Sequence, residues 1–222
     1  MPYTGSVQPG GPIAVRDLDD VVIRKASVSE QDNNAYLITC RASGYQMLID
    51  AADDAARLLA LVDEGSPRGR RGLQVLTTHR HWDHHRALLE VAEATGAWTL
   101  AGVEDAPELP LPPDQPLRHG DTLGLGELRL DVIALRGHTP GSVAVVLHAR
   151  DGSRHVFTGD SLFPGGPGRT TNPVDFRSLM DDLEERVFDP LPDETWVYPG
   201  HGDDTTLGAE RASIPEWRAR GW

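Results

Sequence analysis

Thr77-Thr78-His79-Arg80-His81-Trp82-Asp83-His84 sets four metal-competent side chains within six residues. An apolar run, Leu73 to Thr77, leads into it and reads as a short buried strand. Behind it, His84 to Thr95 carries Leu88, Leu89, Val91 and Ala92 at helical spacing and stops before Gly96, which predicts a helix with its C-terminal stop. On an extended backbone His79 and His81 point the same way. Asp83 and His84 then fall at the turn into the helix. Clustered imidazole and carboxylate groups are the chemistry of a metal site, and a merely solvated histidine run would not interleave Trp82 and Asp83.

Working outward, three more segments set a metal-competent side chain beside tight-turn glycines: Gly137-His138-Thr139-Pro140-Gly141-Ser142, Phe157-Thr158-Gly159-Asp160-Ser161 and Tyr198-Pro199-Gly200-His201-Gly202. Taken singly each is an ordinary loop. Together they give four ligand sets at the ends of predicted strands, where scaffolds present function. The expected strands are Val21 to Val28, Ala35 to Cys40, Gln46 to Ile49, Leu73 to Thr77 and Trp98 to Ala101, then two within Thr122 to Leu135, Ser142 to His148, His155 to Phe157 and Thr195 to Tyr198. Helices are expected from Asp53 to Glu64 with Asp53 as cap, from Phe176 to Val187 with Asp175 as cap, and from Ile214 to Arg220. The Pro-rich segment Glu104 to Gln115 reads as a surface loop joining two halves of one fold. Strands and helices mixed in both halves indicate layers around one core.

Composition narrows the function classes. The formal net charge of −13 repels phosphate backbones and argues against nucleic acid as a partner. There is no apolar stretch of the roughly 18 residues that a membrane span needs. The segment Met1 to Pro12 lacks a basic-then-apolar signal pattern, so the expectation is a cytoplasmic protein, with residues 1–20 a loose leader before a single domain at 21–222. Cys40, the only cysteine, ends an apolar run and reads as a buried structural thiol.

The ordered motifs HxHxDH (His79 to His84), GHTPGS (Gly137 to Ser142), TGDSLF (Thr158 to Phe163) and PGHG (Pro199 to Gly202) resemble those of the metallo-β-lactamase superfamily. The look is nearest to its glyoxalase II-like branch, the hydroxyacylglutathione hydrolases, from Gly159 to Arg169 and around the last motif. The resemblance implies a mixed α/β fold, a four-layer αββα sandwich with metals at one edge. It implies that His79, His81 and His138 hold one divalent ion and Asp83, His84 and His201 a second, with Asp160 between them. Zinc is the first expectation for this donor set, with iron and manganese also suited. Asp50 and Thr78 would orient ligands. The implied activity is hydrolysis of a small-molecule thioester of a low-molecular-weight thiol by hydroxide on the metal pair, with Asp83 in the family's proton-handling position. Two alternatives share the motifs. One is a persulfide dioxygenase-like oxidoreductase with one iron on the residues matching His79, His138 and Asp160. The other is a lactonase or lactamase. A non-catalytic binding protein is disfavoured, since all seven ligands are present. The expected oligomeric state is monomer or homodimer.

Departures from the family pattern are local. Where the family often has x-Gly-Gly after Asp-His, this chain has His85-Arg86-Ala87, so Arg86 narrows or charges the pocket. His85 is expected to face solvent or substrate. Trp82 walls the site or packs under it. Gly168 to Pro173, with Arg169, reads equally as a substrate-side or an ordinary loop. Full-length glyoxalase II enzymes continue into a helical domain that binds the thiol carrier, whereas about twenty residues follow His201 here. His119, His148 and His155 have no motif context and read as surface or strand residues. Trp196, Trp217 and Trp222 read as core or terminal packing, and Asn33-Asn34 as turn chemistry.

Overall fold

The computed structural model describes residues 3–66 and 72–221. One sheet is seven-stranded in chain order: β1 (Ala14–Asp17), β2 (Val21–Ser27), β3 (Asn34–Cys40), β4 (Gln46–Ile49), β5 (Leu73–Thr77), β6 (Trp98–Gly102) and β7 (Gln115–Leu117). The second sheet is six-stranded and draws on β8 (Thr122–Leu125), β9 (Leu128–Ala134), β10 (Val143–His148), β11 (Arg154–Gly159), β14 (Trp196–Pro199) and β15 (Thr205–Thr206), in the order β15-β14-β11-β10-β9-β8. Between β11 and β14 lie the small hairpin β12 (Leu162–Phe163) and β13 (Gly166–Pro167) and helix α3 (Pro173–Leu183). Helices α1 (Ala55–Glu64) and α2 (Leu88–Thr95) belong to the first half, and α4 (Leu207–Arg211) and α5 (Ile214–Arg220) end the chain.

Strand periodicity makes this a sandwich. In β3, Tyr36, Ile38 and Cys40 enter the cluster between the sheets, while Ala35 and Leu37 enter the one under α1 and α2. In β10, Val143, Val145 and Leu147 face the same central cluster, while Ala144 and Val146 join Phe176, Leu179, Met180 and Trp217 from α3 and α5. Strands buried on both faces require a layer on each side, and the result is the expected αββα arrangement. Cys40 is buried, as read.

Several boundaries differ for local physical reasons. The expected loose leader contains β1, which pairs antiparallel with β2 through Ala14 opposite Lys25 and Asp17 opposite Val22; Met1 and Pro2 lie outside the described residues. Helix α1 is capped by Asp54, whose side chain accepts from the Arg57 N–H, while Asp53 accepts from Arg86. Helix α2 starts at Leu88, and Trp82–His84 form a separate 3-10 turn that brings Asp83 and His84 round more tightly than an α-helix would. Asn172, not Asp175, caps α3, accepting from the Val174 and Asp175 N–H groups at 2.9 and 3.0 Å. The Pro-rich segment holds a 3-10 turn, Ala106–Glu108, and a buried Asp105, so it is more than a surface loop.

Candidate metal centre

β4 runs parallel to β5, and β11 parallel to β14, so the C-terminal ends within each pair lie together. The loops after β5, β9, β11 and β14 carry His79 to His84, His138, Asp160 and His201 respectively. Two glycines permit their close approach. A Cβ at Gly200 would collide with Asp160 Oδ1 and stand 2.7 Å from His84 Cε1, and one at Gly159 would stand 2.6 Å from Thr78 Oγ1.

All seven expected ligands meet at this edge. Their donor atoms form three groups, each within 4.8 Å: His79, His81 and His138; Asp83, His84 and His201; and His79, His84 and Asp160. His79 Nε2 is 3.1 Å from His81 Nδ1, and His84 Nε2 is 3.1 Å from His201 Nε2. Asp160 Oδ1 lies 3.4 Å from His84 Nε2, while its Oδ2 lies 3.6 Å from His138 Nε2 and 3.5 Å from His201 Nε2. Ligands about 2.0–2.1 Å from a tetrahedral ion sit roughly 3.3 Å from one another, so the spacing fits a shared ion. His138 Nε2 and Asp160 Oδ1 are buried with no hydrogen-bond partner, a cost that an ion would remove.

The outward ring nitrogens are already used. His84 Nδ1–H donates to Asp50 Oδ2 at 2.9 Å, His138 Nδ1–H to the Arg169 carbonyl at 2.7 Å and His201 Nδ1–H to the Gln31 carbonyl at 2.9 Å. His79 Nδ1–H reaches Thr78 Oγ1 at 3.0 Å, and that hydroxyl donates to Asp50 Oδ2 at 2.8 Å. Asp50 also accepts from the Thr78 N–H at 2.8 Å and holds φ = 59°. Four imidazoles thus turn Nε2 inward, the orientation that partners behind metal-ligating histidines impose.

The imidazoles and carboxylates shift one another. Burial pushes His79, His81 and His138 down. Burial opposes charge on His84 too, yet Asp50 and Asp160 push it up to about 10. For His201, Asp160 outweighs burial and the shift is upward. Burial disfavours the Asp160 carboxylate, but His201 and His84 hold it well below the ordinary carboxylate range. Asp50 and Asp160 thus favour positive charge on His84, and Asp160 favours it on His201, a role a divalent ion would take over.

The remaining expectations resolve as follows. His85 Nε2 meets the Arg80 carbonyl at 3.0 Å. Arg86 donates to Asp53 and to Gln31 Oε1, both at 2.6 Å, and lies 4.0 Å above the Trp82 ring. Arg86, Trp82, Asp53 and Gln31 line a cleft of about 590 Å³. Trp82 is a wall rather than a base, being 59% exposed. The Arg169 loop reaches the centre through its backbone. His119 is exposed, His148 pairs with Asp131 at 2.8 Å, and His155 is buried between Ser153 Oγ and Tyr198 OH. Trp217 is core and Trp196 half-buried, while Trp222 lies outside the described residues.

Turn chemistry does not account for Asn33 and Asn34. Asn33 Nδ2 donates to Asp83 Oδ2 at 3.1 Å and stands 3.3 Å from His201 Nε2. Asn34 Nδ2 donates to the Pro199 and Gly202 carbonyls, and Tyr36 OH to Pro199, so β3 grips the loop that bears His201. Lys25 Nζ donates to Gly202 at 2.6 Å, to Gly5 at 2.7 Å and to Asp204 Oδ1 at 2.7 Å. No local pattern signals these contacts.

Residues 29–201 match the Metallo-beta-lactamase superfamily. The hydroxyacylglutathione hydrolase of Fuscovulum blasticum is 38% identical over 173 residues, 77% of this chain and 63% of that protein, so the chain spans less than two thirds of it. Hydroxyacylglutathione hydrolase GloC of Haemophilus influenzae is 31% identical over 188 residues, 76% of this chain and 85% of GloC. Among solved structures, ETHE1 from Myxococcus xanthus is 34% identical with a TM-score of 0.74, over 87% of this chain and 83% of that one. TTHA1623 in a di-iron-bound form is 33% identical with a TM-score of 0.70, over 87% and 99%. Layer order, motif order and these likenesses together place the chain in the metallo-β-lactamase superfamily.

Proposed function

We propose that the chain is a dinuclear metal-dependent hydrolase that cleaves a thioester of a low-molecular-weight thiol, in the manner of a hydroxyacylglutathione hydrolase. The observation that carries this reading is the convergence of seven imidazole and carboxylate donors at ligand spacing, with two of their atoms buried and unpartnered. The likeness to two hydroxyacylglutathione hydrolases supports the substrate class. The di-iron form of a 33% identical chain supports two ions. His79, His81 and His138 would hold one ion, Asp83, His84 and His201 the other, and Asp160 would lie between them. Zinc suits these donors, as do iron and manganese. The reading is of a cytoplasmic enzyme, monomeric or dimeric, with a small-molecule substrate. Among the described residues, no helix is long and apolar enough to cross a membrane.

When bound, such an ion pair supplies Lewis acidity toward a carbonyl and lowers the pKa of a water towards about 7. The chain contributes orientation and charge. Asp50, Gln31 and the Arg169 carbonyl fix the ring planes, and Asn33 holds Asp83. Burial works against the Asp83 carboxylate, but the Asn33 hydrogen bond and His84 keep it below its usual range. Asp83 would therefore serve first as a ligand and only weakly as a proton acceptor, and a thiolate leaving group asks for little protonation from it.

The test is elemental analysis of protein purified without chelator, followed by turnover of hydroxyacyl thioester, oxygen ester and persulfide by wild type and Asp160→Asn. Two ions per chain, with thioester turnover reduced by about 100-fold or more in the variant, are expected. Undiminished turnover rejects Asp160 as the bridge. The second reading, a one-iron persulfide oxidoreductase, needs only His79, His138 and Asp160, and these three do converge. One iron per chain with oxygen consumption on a persulfide would replace the first reading with it.

A further inference from the structure

The loop after β5 carries four of the seven ligands, and the strands on either side of β5 are β4 and β6. Each of those neighbours is followed by a buried carboxylate. Asp50 follows β4 and serves Thr78 and His84. Asp105 follows β6, is 1% exposed, and belongs to none of the four motifs. Its Oδ2 accepts from the Arg80 N–H at 2.9 Å and from Thr139 Oγ1 at 2.5 Å, and its Oδ1 accepts from the Gly141 N–H at 2.8 Å. Arg80 lies between His79 and His81, and Thr139 and Gly141 directly follow His138. A Cβ at Gly141 would collide with the Asp105 backbone nitrogen, so that loop seats on Asp105 only as glycine. The Arg80 guanidinium is 3.9 Å from Oδ1, and the carboxylate's close partners are these three donors.

We propose that Asp105 is the positioning residue of the His79–His81–His138 triad, joining the loop from one sheet to the loop from the other so that three imidazole nitrogens converge before an ion arrives. The proposal rests on the metal-site reading above. It concerns ion affinity and not the choice of substrate.

Asp105→Asn keeps the volume of the side chain but sets an NH₂ group against a backbone N–H. Thr139→Val removes one of the three donors with little change of shape and serves if the first variant does not fold. Zinc affinities would be read by competition with a chromophoric chelator. Cobalt spectra would assign the emptied site, since three-imidazole and mixed imidazole–carboxylate sets absorb differently. Asp114→Asn is the comparison: Asp114 holds Thr99 through its N–H and hydroxyl at 2.8 and 2.9 Å, at the other end of β6. The expected result is a 10–100-fold loss of affinity at the three-histidine site in Asp105→Asn, about tenfold in Thr139→Val, and no change at the second site or in Asp114→Asn. Unchanged affinities, or equal loss at both sites, would overturn the proposal. A wild-type chain that takes up no ion would overturn it together with the proposed function. Two ions without thioester turnover would remove the function and leave the positioning role standing.

Discussion

Replacing Lys25 by Met tests whether one buried ion pair supports the His201 loop. The side chains of Lys25 and Asp204 are both fully buried, and their charged atoms are 2.7 Å apart. Met keeps the apolar stem and deletes the charge. Two of the three groups left behind keep other partners: the Gly202 carbonyl still accepts from Asn34, and the Gly5 carbonyl from the Asp204 N–H. Asp204 keeps neutral donors only, Tyr3 OH at 2.7 Å, Trp196 Nε1 at 2.9 Å and Tyr36 OH at 3.4 Å. Removing one member of a buried pair costs about 3–5 kcal/mol. Those three donors set the expectation at the lower end, about 3 kcal/mol. For a chain of this size that is a fall of roughly 6–12 °C in Tm. Adding Asp204→Asn removes the stranded charge while preserving an acceptor for Tyr3 and Trp196, so the double variant should recover more than half of the loss. Thermal and urea unfolding of wild type, both single variants and the double variant close the cycle. A cost below about 1 kcal/mol for Lys25→Met, or strictly additive effects, would refute the claim that the pair is a coupled, desolvated unit.

Three further outcomes follow from the geometry. Asn33→Ala removes the donor to Asp83 and should weaken the ion at Asp83, His84 and His201 by about tenfold in chelator competition, whereas a change under about twofold would make Asn33 a bystander. Zinc binding at pH 8 should release protons, because His84, pushed up to about 10, is protonated in the ion-free chain and must be neutral as a ligand; calorimetry in two buffers of different ionisation enthalpy would show no difference if this is wrong. His155, pushed down to about 4 by burial and by nearby Arg16, stays neutral in the fold at neutral pH, so its contribution to stability is full above about pH 6.5 and is lost as pH falls towards 4. That loss amounts to about 3 kcal/mol at most, and His155→Gln should flatten the acid limb of the stability profile by that amount; an unchanged slope would rule the residue out.

The candidate ligands could be picked out because four of them crowd into His79 to His84 and the other three stand beside turn glycines, in an order that resembles the superfamily's motifs. The layers were legible because strands buried on both faces, such as Asn34–Cys40, carry a run of adjacent apolar residues, here Ala35 to Ile38, instead of a strict alternation. The supports were not. Lys25, Asn33, Asn34 and Asp105 look like ordinary polar residues in sequence, and what makes them matter is burial against partners as distant as Gly202 from Lys25 or Thr139 from Asp105. Helix starts moved because the cap lies elsewhere: Asp54, next to Asp53, caps α1, and Asn172 caps α3 three residues before Asp175, which lies inside the first turn. The short edge strands β1, β7 and β15 carry too few residues for an alternating pattern to register.

The proposed ligand sets divide across the sandwich in a way that bears on how the centre would form. His79 and His81 come from the first sheet and His138 from the second, and Asp83 and His84 likewise face His201. Either ion would therefore staple the two sheets at their common edge. The same two junctions are already tied by protein atoms alone: Asp105 joins Arg80 to Thr139 and Gly141, while Lys25, Asn34 and Tyr36 join β2 and β3 to Pro199, Gly202 and Asp204. Val143 N–H adds a direct backbone link to the Thr78 carbonyl. With the loops held this way, ion binding need not be spent on ordering the backbone. It can instead go into displacing the proton that Asp50 and Asp160 favour on His84, with His201 shifted in the same direction by Asp160. Ion affinity at this edge should accordingly depend more on pH than on the stability of the surrounding fold.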